Sequence, residues 1–461
     1  MNSKFKKIMG ICLSMVLAFS VTLPAYAEPI CGLGCLDDYE FDKATGHLVI
    51  GKQIESQLLT DYINSFCFPP FSLEDVRSVT IKEGVNRIYG YNSYDWRLAE
   101  NKLYQRPYGV FTGCVNLENV EIPDSVKEIG LGAFYKCTSL TSITIPDSAT
   151  SIGDGAFYDC ENLKNVVIPD GVTKISSFTF FNCASLKKIR IPYGVTEIGQ
   201  SAFENCTNLE ETIIPNSVTE IGKQAFSCTG LKEVKIPDSL SNGNFSGAFK
   251  KCKHLEKVEL PRYLQRIPSY AFSECTSLKE VNIPYGVKSI DAGAFLGCTS
   301  LKQLTIPNSV TQIGGALRYV REYNGELGVV TLRQGAFAGC KSLERVEIPN
   351  SITKISDDAF DSCTGLKEVI IPNSVTEIGG WAFRICKNLK EVTIPDSVTS
   401  IDKLAFVHCE LLEKVTIPSS VTSIDEGAFY GCRSLREVTI PNRFAKIADD
   451  AFDRFTNVTL Q

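Results

Sequence analysis

The cysteines of this 461-residue chain recur at an almost constant interval. Fourteen of the eighteen follow one another at 23 residues, with slips of one residue and a single interval of 42, at positions 114, 137, 160, 183, 206, 228, 252, 275, 298, 340, 363, 386, 409 and 432. A disulfide framework has no reason to keep such a period, whereas stacked repeats require one. The interval therefore predicts a solenoid, whose units bury a core only by stacking.

Aligned on the cysteine, each unit reads C-x-x-L-x-x-V-x-I-P-x-S-V-T-x-I-G-x-x-A-F-x-x. The segment L-x-x-V-x-I predicts a short strand with Leu, Val and Ile inward, and the proline ends that strand. A polar residue such as Asp154 or Asp357 is expected to open one helical or 3₁₀ turn that carries Ala-Phe. The predicted fold is a β-rich leucine-rich-repeat solenoid of about 15 turns of 23 residues, with short strands and 3₁₀ or helical corners.

The same alignment gives the repeated phenylalanine and cysteine structural roles. Fifteen phenylalanines, from Phe111 to Phe452, are expected to stack as a spine inside the core. Stacked turns would place neighbouring thiols about 4.7–4.9 Å apart with parallel Cβ vectors. A disulfide instead needs Cβ atoms about 3.8 Å apart and a twisted bridge. The pattern therefore predicts free, buried thiols.

The first 27 residues have the pattern of a secretory signal peptide. Three lysines precede an apolar run from Ile8 to Leu23, and Ala25-Tyr26-Ala27 forms a cleavage site. Cleavage would remove three lysines and no acids, which changes 47 basic and 53 acidic residues into 44 and 53, a net charge of −9. This balance disfavours nucleic acid as a partner, and no later apolar run is long enough to span a membrane. We expect a secreted or surface-associated product.

The consensus I-P-x-S-V-T-x-I-G-x-x-A-F-x-x-C resembles the BspA-like leucine-rich repeats of exported bacterial surface proteins. The resemblance covers roughly residues 75–461, and residues 31–52 resemble the N-terminal cap of that family, here assigned to 28–74. It implies a right-handed solenoid that binds other proteins or cells. Cys31, Cys35 and Cys67 fall outside the periodic set, and if a disulfide forms we expect Cys67 to pair with Cys31 or Cys35.

Two insertions interrupt the repeat just after the Ile of I-G, near 89–108 and 315–333. Both should leave the same edge of the solenoid, nine turns or about 43 Å apart, so they favour two sites over one pocket. They concentrate Tyr, Trp and Arg, the residues that dominate binding hot spots. The alternative is that they only pack against the solenoid edge. The candidate partner-binding residues are Tyr89, Tyr91, Tyr94, Trp96, Arg97, Tyr104, Tyr108, Arg318, Tyr319, Arg321 and Tyr323.

The repeats themselves offer little for chemistry. The solvent positions of the strands carry mixed charge, as in Lys187-Lys188 and Lys232-Glu233, which is typical of a solvated face. The sequence shows no metal-ligand spacing, phosphate-binding loop or nucleophile elbow, and we expect no catalytic residue, metal or cofactor. His408 beside Cys409 leaves a thiol-dependent hydrolase as a remote alternative.

The sequence therefore favours an exported, non-enzymatic interaction or adhesion protein that binds a protein or glycan outside the cell. A passive structural or spacer solenoid of the cell surface is the alternative.

Overall fold

The computed structural model describes residues 39–50, 72–88, 90–93, 106–314, 317–323, 326–332, 334–442 and 445–461. In the strands of the two insertions only the backbone is described. The predicted signal peptide and the three cysteines of the possible disulfide, Cys31, Cys35 and Cys67, lie outside these ranges.

One short strand per turn forms the first face of the solenoid, hereafter the strand face. Its strands pair in parallel, and most of their inward residues belong to the buried core, whereas the inward Val120 and Thr212 are partly buried. At one end, the antiparallel pair Tyr39–Asp42 and His47–Ile50 extends this sheet, with His47–Ile50 parallel to Ser78–Ile81. The remaining strands of this face are Asn119–Glu121, Ser142–Thr144, Asn165–Val167, Lys188–Arg190, Glu211–Ile213, Glu233–Lys235, Lys257–Glu259, Arg345–Glu347, Glu368–Ile370, Glu391–Thr393, Lys414–Thr416, Glu437–Ile440 and Asn457–Leu460, with an isolated bridge between Asn282 and Thr305.

A second set of two-residue strands runs along the returning side of each turn. Each ends in an isoleucine that joins the core, and each pairs in parallel with the same position one turn away. They are Arg87–Ile88, Glu128–Ile129, Ser151–Ile152, Lys174–Ile175, Glu197–Ile198, Glu220–Ile221, Arg266–Ile267, Ser289–Ile290, Gln312–Ile313, Lys354–Ile355, Glu377–Ile378, Ser400–Ile401, Ser423–Ile424 and Lys446–Ile447. Among the residues that the structure describes, the short 3₁₀ helices are Leu73–Asp75 and Asp238–Leu240.

The corners that carry Ala-Phe differ from the expected helical or 3₁₀ turn. Their N–H groups donate alternately within the turn and to the next turn: Tyr135 N–H reaches Gly132 O at 2.9 Å, whereas Phe134 N–H reaches Ala156 O at 2.8 Å. The cause is backbone in the left-handed region on both sides of the phenylalanine, with φ of 59° at Gly132 and 60° at Lys136. A helix cannot continue through such residues.

The aspartates expected to open a helical turn instead bridge two turns. Asp154 Oδ1 accepts the backbone N–H of Ser177 at 3.0 Å, and Asp357 Oδ1 accepts that of Gly380 at 3.1 Å. Each donor lies 23 residues beyond its acceptor. These carboxylates therefore satisfy backbone donors of the neighbouring turn, which a single repeat taken alone could not reveal.

The predicted phenylalanine spine is confirmed, and we call it the phenylalanine column. Its neighbouring ring centroids lie 5.1–5.8 Å apart, with interplanar angles of 2–18°. Offset stacking of this kind adds about 0.5–1.5 kcal/mol per pair beyond the area buried. The column consists of Phe111, Phe134, Phe157, Phe180, Phe203, Phe226, Phe249, Phe272, Phe295, Phe337, Phe360, Phe383, Phe406, Phe429 and Phe452.

The cysteines of the described residues are free, as predicted, and all but one are buried. We call the thirteen buried ones the cysteine column. From Cys137 onward, each of their thiols donates to the carbonyl of the column phenylalanine in the preceding turn, at 3.0–3.4 Å. Each of these carbonyls also accepts a backbone N–H in its own turn, as Phe134 O does from Cys137 N–H at 3.2 Å. The thiol of Cys160 therefore adds a second hydrogen bond to an acceptor that is already paired.

Cys228 is not part of the cysteine column, which corrects the sequence assignment. It follows Phe226 by two residues instead of three, has a φ of 58°, and is only partly buried. Thr229 occupies the column position and is 2% exposed. Its hydroxyl lies 2.8 Å from the Phe226 carbonyl and 3.2 Å from Cys252 Sγ. The slip of one residue in the cysteine interval is thus a change of residue at the column position.

Candidate functional site

The strand face carries paired charges along most of its length. Lys188 lies 2.7 Å from Glu211, and Arg345 lies 2.8 Å from Glu368, in each case between neighbouring strands. These side chains are 52–70% exposed, so each pair contributes at most about 1 kcal/mol to stability. As predicted, the charges form a solvent-exposed face, and they contribute little to the stability of the fold.

Apolar side chains interrupt this pattern over three successive turns. The last residue of each strand points outward, and it is Val167, Arg190 and Ile213 in turn along the stack. Val167 is 61% exposed and Ile213 is 75% exposed, while Tyr193 beyond the Lys188–Arg190 strand is also 75% exposed. We call Val167, Ile213 and Tyr193 the apolar patch. Exposed large aliphatic residues beside a tyrosine and an arginine are a composition that binding surfaces share.

The apolar patch borders an open groove of about 790 Å³ over the strand face. The groove extends from the Lys188–Arg190 strand to the Lys257–Glu259 strand, and Tyr193 and Ile213 line it. Its far side contains the ion pair between Lys235 and Glu259, at 2.5 Å. Sequence reasoning missed this groove, because its lining comes from turns that lie 23 residues apart. The signal available in the sequence was a Val or Ile at the last position of the strand, where most repeats have Thr, Glu or Lys.

The charge over the groove is uneven. Four exposed cations lie at or beside its basic end on two successive turns, Lys164, Lys187, Lys188 and Arg190, and of these Lys188 and Arg190 line the groove. The hydrogen bond from Lys232 and the charge of that lysine lower the pKa of Glu210, and the charges of Lys187 and Lys188 add a smaller contribution. This end is thus locally positive on a chain whose formal net charge is −6.

A second groove, of about 840 Å³, lies near residue 455. In the last turn the strand Asn457–Leu460 begins only five positions after Phe452, whereas Glu437 follows Phe429 by eight positions. Phe455 stands at the cysteine position and is 64% exposed, with the Arg454 guanidinium 4.7 Å from its ring centroid.

The two predicted insertions form antiparallel β-hairpins. The first pairs Gly90–Ser93 with Arg106–Gly109 and places Tyr91 opposite Tyr108 in register. The second pairs Leu317–Tyr323 with Glu326–Leu332. Of the predicted contact residues, Arg318, Tyr319, Arg321 and Tyr323 lie on the second hairpin, whereas Tyr89, Tyr94, Trp96, Arg97 and Tyr104 lie outside the described residues.

Both hairpins rejoin the solenoid through a glycine packed on the next turn. A Cβ at Gly109 would lie 2.2 Å from Ala133 Cα, and one at Gly335 would lie 1.7 Å from the Asp358 carbonyl oxygen. Each glycine stands two residues before a column phenylalanine. The two insertions therefore end at the same position of the repeat, and in each a glycine packs against the backbone of the next turn at that position.

The second hairpin does not disturb the core beneath it. Phe295 and Phe337 flank the insertion in sequence, yet their rings stack at 5.5 Å with an interplanar angle of 3°. Phe134 and Phe157, in uninterrupted turns, stack at 5.4 Å and 2°. The inserted residues are thus an addition to a turn that is otherwise complete.

The thiol of Cys409 is unsuited to nucleophilic catalysis. It is fully buried, donates to the Phe383 carbonyl at 3.2 Å, and has a pKa raised well above its ordinary value by burial. A nucleophilic cysteine needs an accessible thiolate. The neighbouring His408 makes an edge contact with Tyr430, at 6.0 Å between ring centroids. Within the described ranges, no group of His, Cys, Asp or Glu has a geometry that could hold a metal ion.

Comparison with known families gives a match over most of the chain. The model described as a BspA type leucine rich repeat region, in six copies, matches residues 51–130, 105–227, 207–319 and 330–459. The chain belongs to the BspA-type leucine-rich-repeat family. The resemblance inferred from the repeat consensus is thereby confirmed. Comparison with curated proteins gives no match.

Several solved structures are similar to this BspA-type protein. A leucine-rich repeat protein from Bacteroides ovatus is 24% identical, with a TM-score of 0.46, over 92% of this chain and 97% of that one. A leucine rich cell surface protein from Faecalibacterium prausnitzii is also 24% identical, with a TM-score of 0.40 and 96% of each chain covered. The pneumococcal vaccine antigen PcpA is 17% identical over 84% of this chain and 79% of that one, with a TM-score of 0.40.

Membership in this family is consistent with a protein-interaction role for the BspA-type chain. In the part of the chain that the structure describes, no helix has the length and apolar character of a membrane span.

Proposed function

We propose that this protein is an exported, non-enzymatic interaction protein whose two hairpins contact a protein or glycan outside the cell. The observation that carries the proposal is the unbroken stacking of Phe295 on Phe337 across the second insertion. A segment that the core does not need is retained for another reason, and surface loops on a rigid scaffold are where binding residues concentrate.

The composition of the hairpins supports the same conclusion. Their strands carry Tyr91, Tyr108 and Arg318, and Tyr319 follows Arg318 directly. Tyrosine and arginine supply large contact area and planar hydrogen bonding at binding hot spots. The repeats resemble one another from turn to turn, so the insertions are better suited than the repeats to distinguish one partner from another. A signal peptide at residues 1–27 and a surface location belong to this proposal.

The proposal can be tested by removing each hairpin's contribution separately. One variant of the mature chain, residues 28–461, lacks residues 317–332, and another carries Tyr94→Ala, Trp96→Ala and Arg97→Ala. Both are compared with the unaltered chain on arrays of purified extracellular proteins and glycans. We expect unchanged melting and a loss of at least ~2 kcal/mol in binding to a shared partner for one of the two variants. Full binding by both folded variants would refute the hairpins as the contact site.

A further inference from the structure

The apolar patch and the cations around it form a second surface, separate from the hairpins. Arg190 lies between Val167 and Ile213 in the stack and is held by Asp170 at 2.8 Å. The two aliphatic side chains are thus two turns apart, about 10 Å at strand spacing. Tyr193 follows Arg190 by three residues, in the turn after the same strand.

From this arrangement we infer that the groove over the strand face binds an acidic segment of a protein partner that presents an aliphatic or aromatic side chain to Val167 and Ile213. The inference goes beyond the proposed role of the hairpins. It assigns a second site to residues that the sequence places on a merely solvated face.

The aliphatic residues determine that the partner is a protein. Val167 and Ile213 have no polar side-chain atoms. Contact with them therefore yields favourable free energy only when the partner also buries apolar surface and both surfaces are removed from water. A chain of sugar hydroxyls would gain little from such contact. Apolar residues at the centre of a patch, with charged and polar residues at its rim, are the arrangement of protein–protein interfaces. The groove of about 790 Å³ gives the partner segment room to lie along the face.

The cations determine the charge of the partner. Two successive turns carry four exposed cations, Lys164, Lys187, Lys188 and Arg190. Asp170, which lies beyond the end of its strand, forms an ion pair with Arg190. Lys188 also pairs with Glu211 at 2.7 Å, so four positive and two negative charges leave a local excess of two. Beyond Ile213 the charges balance, as in the pair of Lys232 and Glu210 at 2.9 Å. An acidic segment over this end of the groove would therefore be attracted, and a basic one repelled.

The test uses peptides of about 12 residues as probes, labelled with fluorescein and measured by fluorescence anisotropy. One peptide consists of glutamates around a central Phe-Leu pair, one replaces that pair by serines, and one replaces the glutamates by lysines. We expect the acidic peptide with Phe-Leu to bind with a dissociation constant of about 1 mM or lower. The dissociation constants of the other two peptides should be at least tenfold higher.

The variants separate the apolar contribution from the charges. Val167→Thr and Ile213→Thr together place at both positions the residue that Thr144 and Thr393 hold in equivalent strands, so the fold should be kept. This change should weaken the acidic peptide about tenfold. Lys187→Gln with Lys188→Gln should weaken it less and reduce its dependence on salt. The matched control is Ile370→Thr, since Ile370 holds the same strand position near the other end and is 37% exposed.

Three outcomes of the peptide measurements would overturn the inference. They are no binding of the acidic peptide, equal binding of the lysine peptide, and equal weakening by Ile370→Thr. Binding of glycans rather than peptides that is lost with Ile213→Thr would also overturn it. The variant without residues 317–332 should bind the acidic peptide normally, so failure of the hairpin proposal and failure of this one are distinguishable.

Discussion

Replacement of Phe295 by alanine is the most direct test of the phenylalanine column. Phe295 is fully buried and stacks on two rings, Phe272 at 5.6 Å and Phe337 at 5.5 Å. A buried Phe→Ala change costs about 3–5 kcal/mol through lost transfer energy and the cavity left behind. Two lost stacking contacts place this one near the upper end, at about 5 kcal/mol.

The end of the column supplies the matched control. Phe452 stacks on Phe429 at 5.1 Å and is only partly buried. Phe452→Ala removes a single stacked pair among the described residues and leaves a cavity that water can reach. We expect it to cost about 2 kcal/mol.

Urea unfolding, followed by circular dichroism and by the fluorescence of Trp381, measures both changes. Because each turn contacts mainly its neighbours, a weak central interface should also divide unfolding into two transitions. Trp381 should report the transition of the C-terminal part, and Trp96→Phe in the background removes the other tryptophan. A cost below about 1 kcal/mol for Phe295→Ala, or equal costs for both variants, would refute the stacked core as the source of stability.

Other consequences can be checked in the same protein. Among the described cysteines, Cys228 should be the first that iodoacetamide alkylates in the native state, as peptide mapping would show, whereas the column thiols should react only after denaturation. Burial, and then the charge of Glu377, raises the pKa of Asp402 from 3.8 to about 6. A raised carboxyl pKa adds stability below about pH 4 that is lost as pH rises towards 6, so Asp402→Asn should stabilise the protein above pH 6, by about 1 kcal/mol after solvent screening, and not at pH 4. Gly335→Ala should lower the melting temperature, because a Cβ there meets the backbone of the next turn. Calorimetry of the variant would contradict this account if melting were unchanged.

Much of the fold follows from the repeat alone. The inward strand residues, the phenylalanine column and the free thiols could be predicted because each depends on one position in every unit. The corner geometry could not, because φ values such as the 57° of Asp159 depend on hydrogen bonds to the adjacent turn. Alignment on the cysteines also hid the substitution at Thr229. Alignment on Phe226 would have revealed it.

The candidate sites were less predictable. The hairpin strands lie in the segments that the sequence marks as insertions, but a hairpin form was not expected. Asn324-Gly325 between two β-prone runs is nevertheless a strong sequence signal for a two-residue turn. The apolar patch escaped notice because it is formed by single residues of different repeats. Val167 and Ile213 are ordinary within their own units and become a surface only when the turns are stacked.

The point at which both hairpins rejoin the solenoid has a consequence for how such a chain can change length. Apart from the turn with Thr229 at the column position, every turn between them presents a stacked phenylalanine ring and a buried thiol to its neighbours. Loss or duplication of one such unit would join surfaces that already match. The separation of the hairpins can therefore change only in whole turns, each of about 4.8 Å. In evolutionary terms, recombination that adds or removes whole repeat units would change the distance between the two hairpins, whereas a point mutation would not.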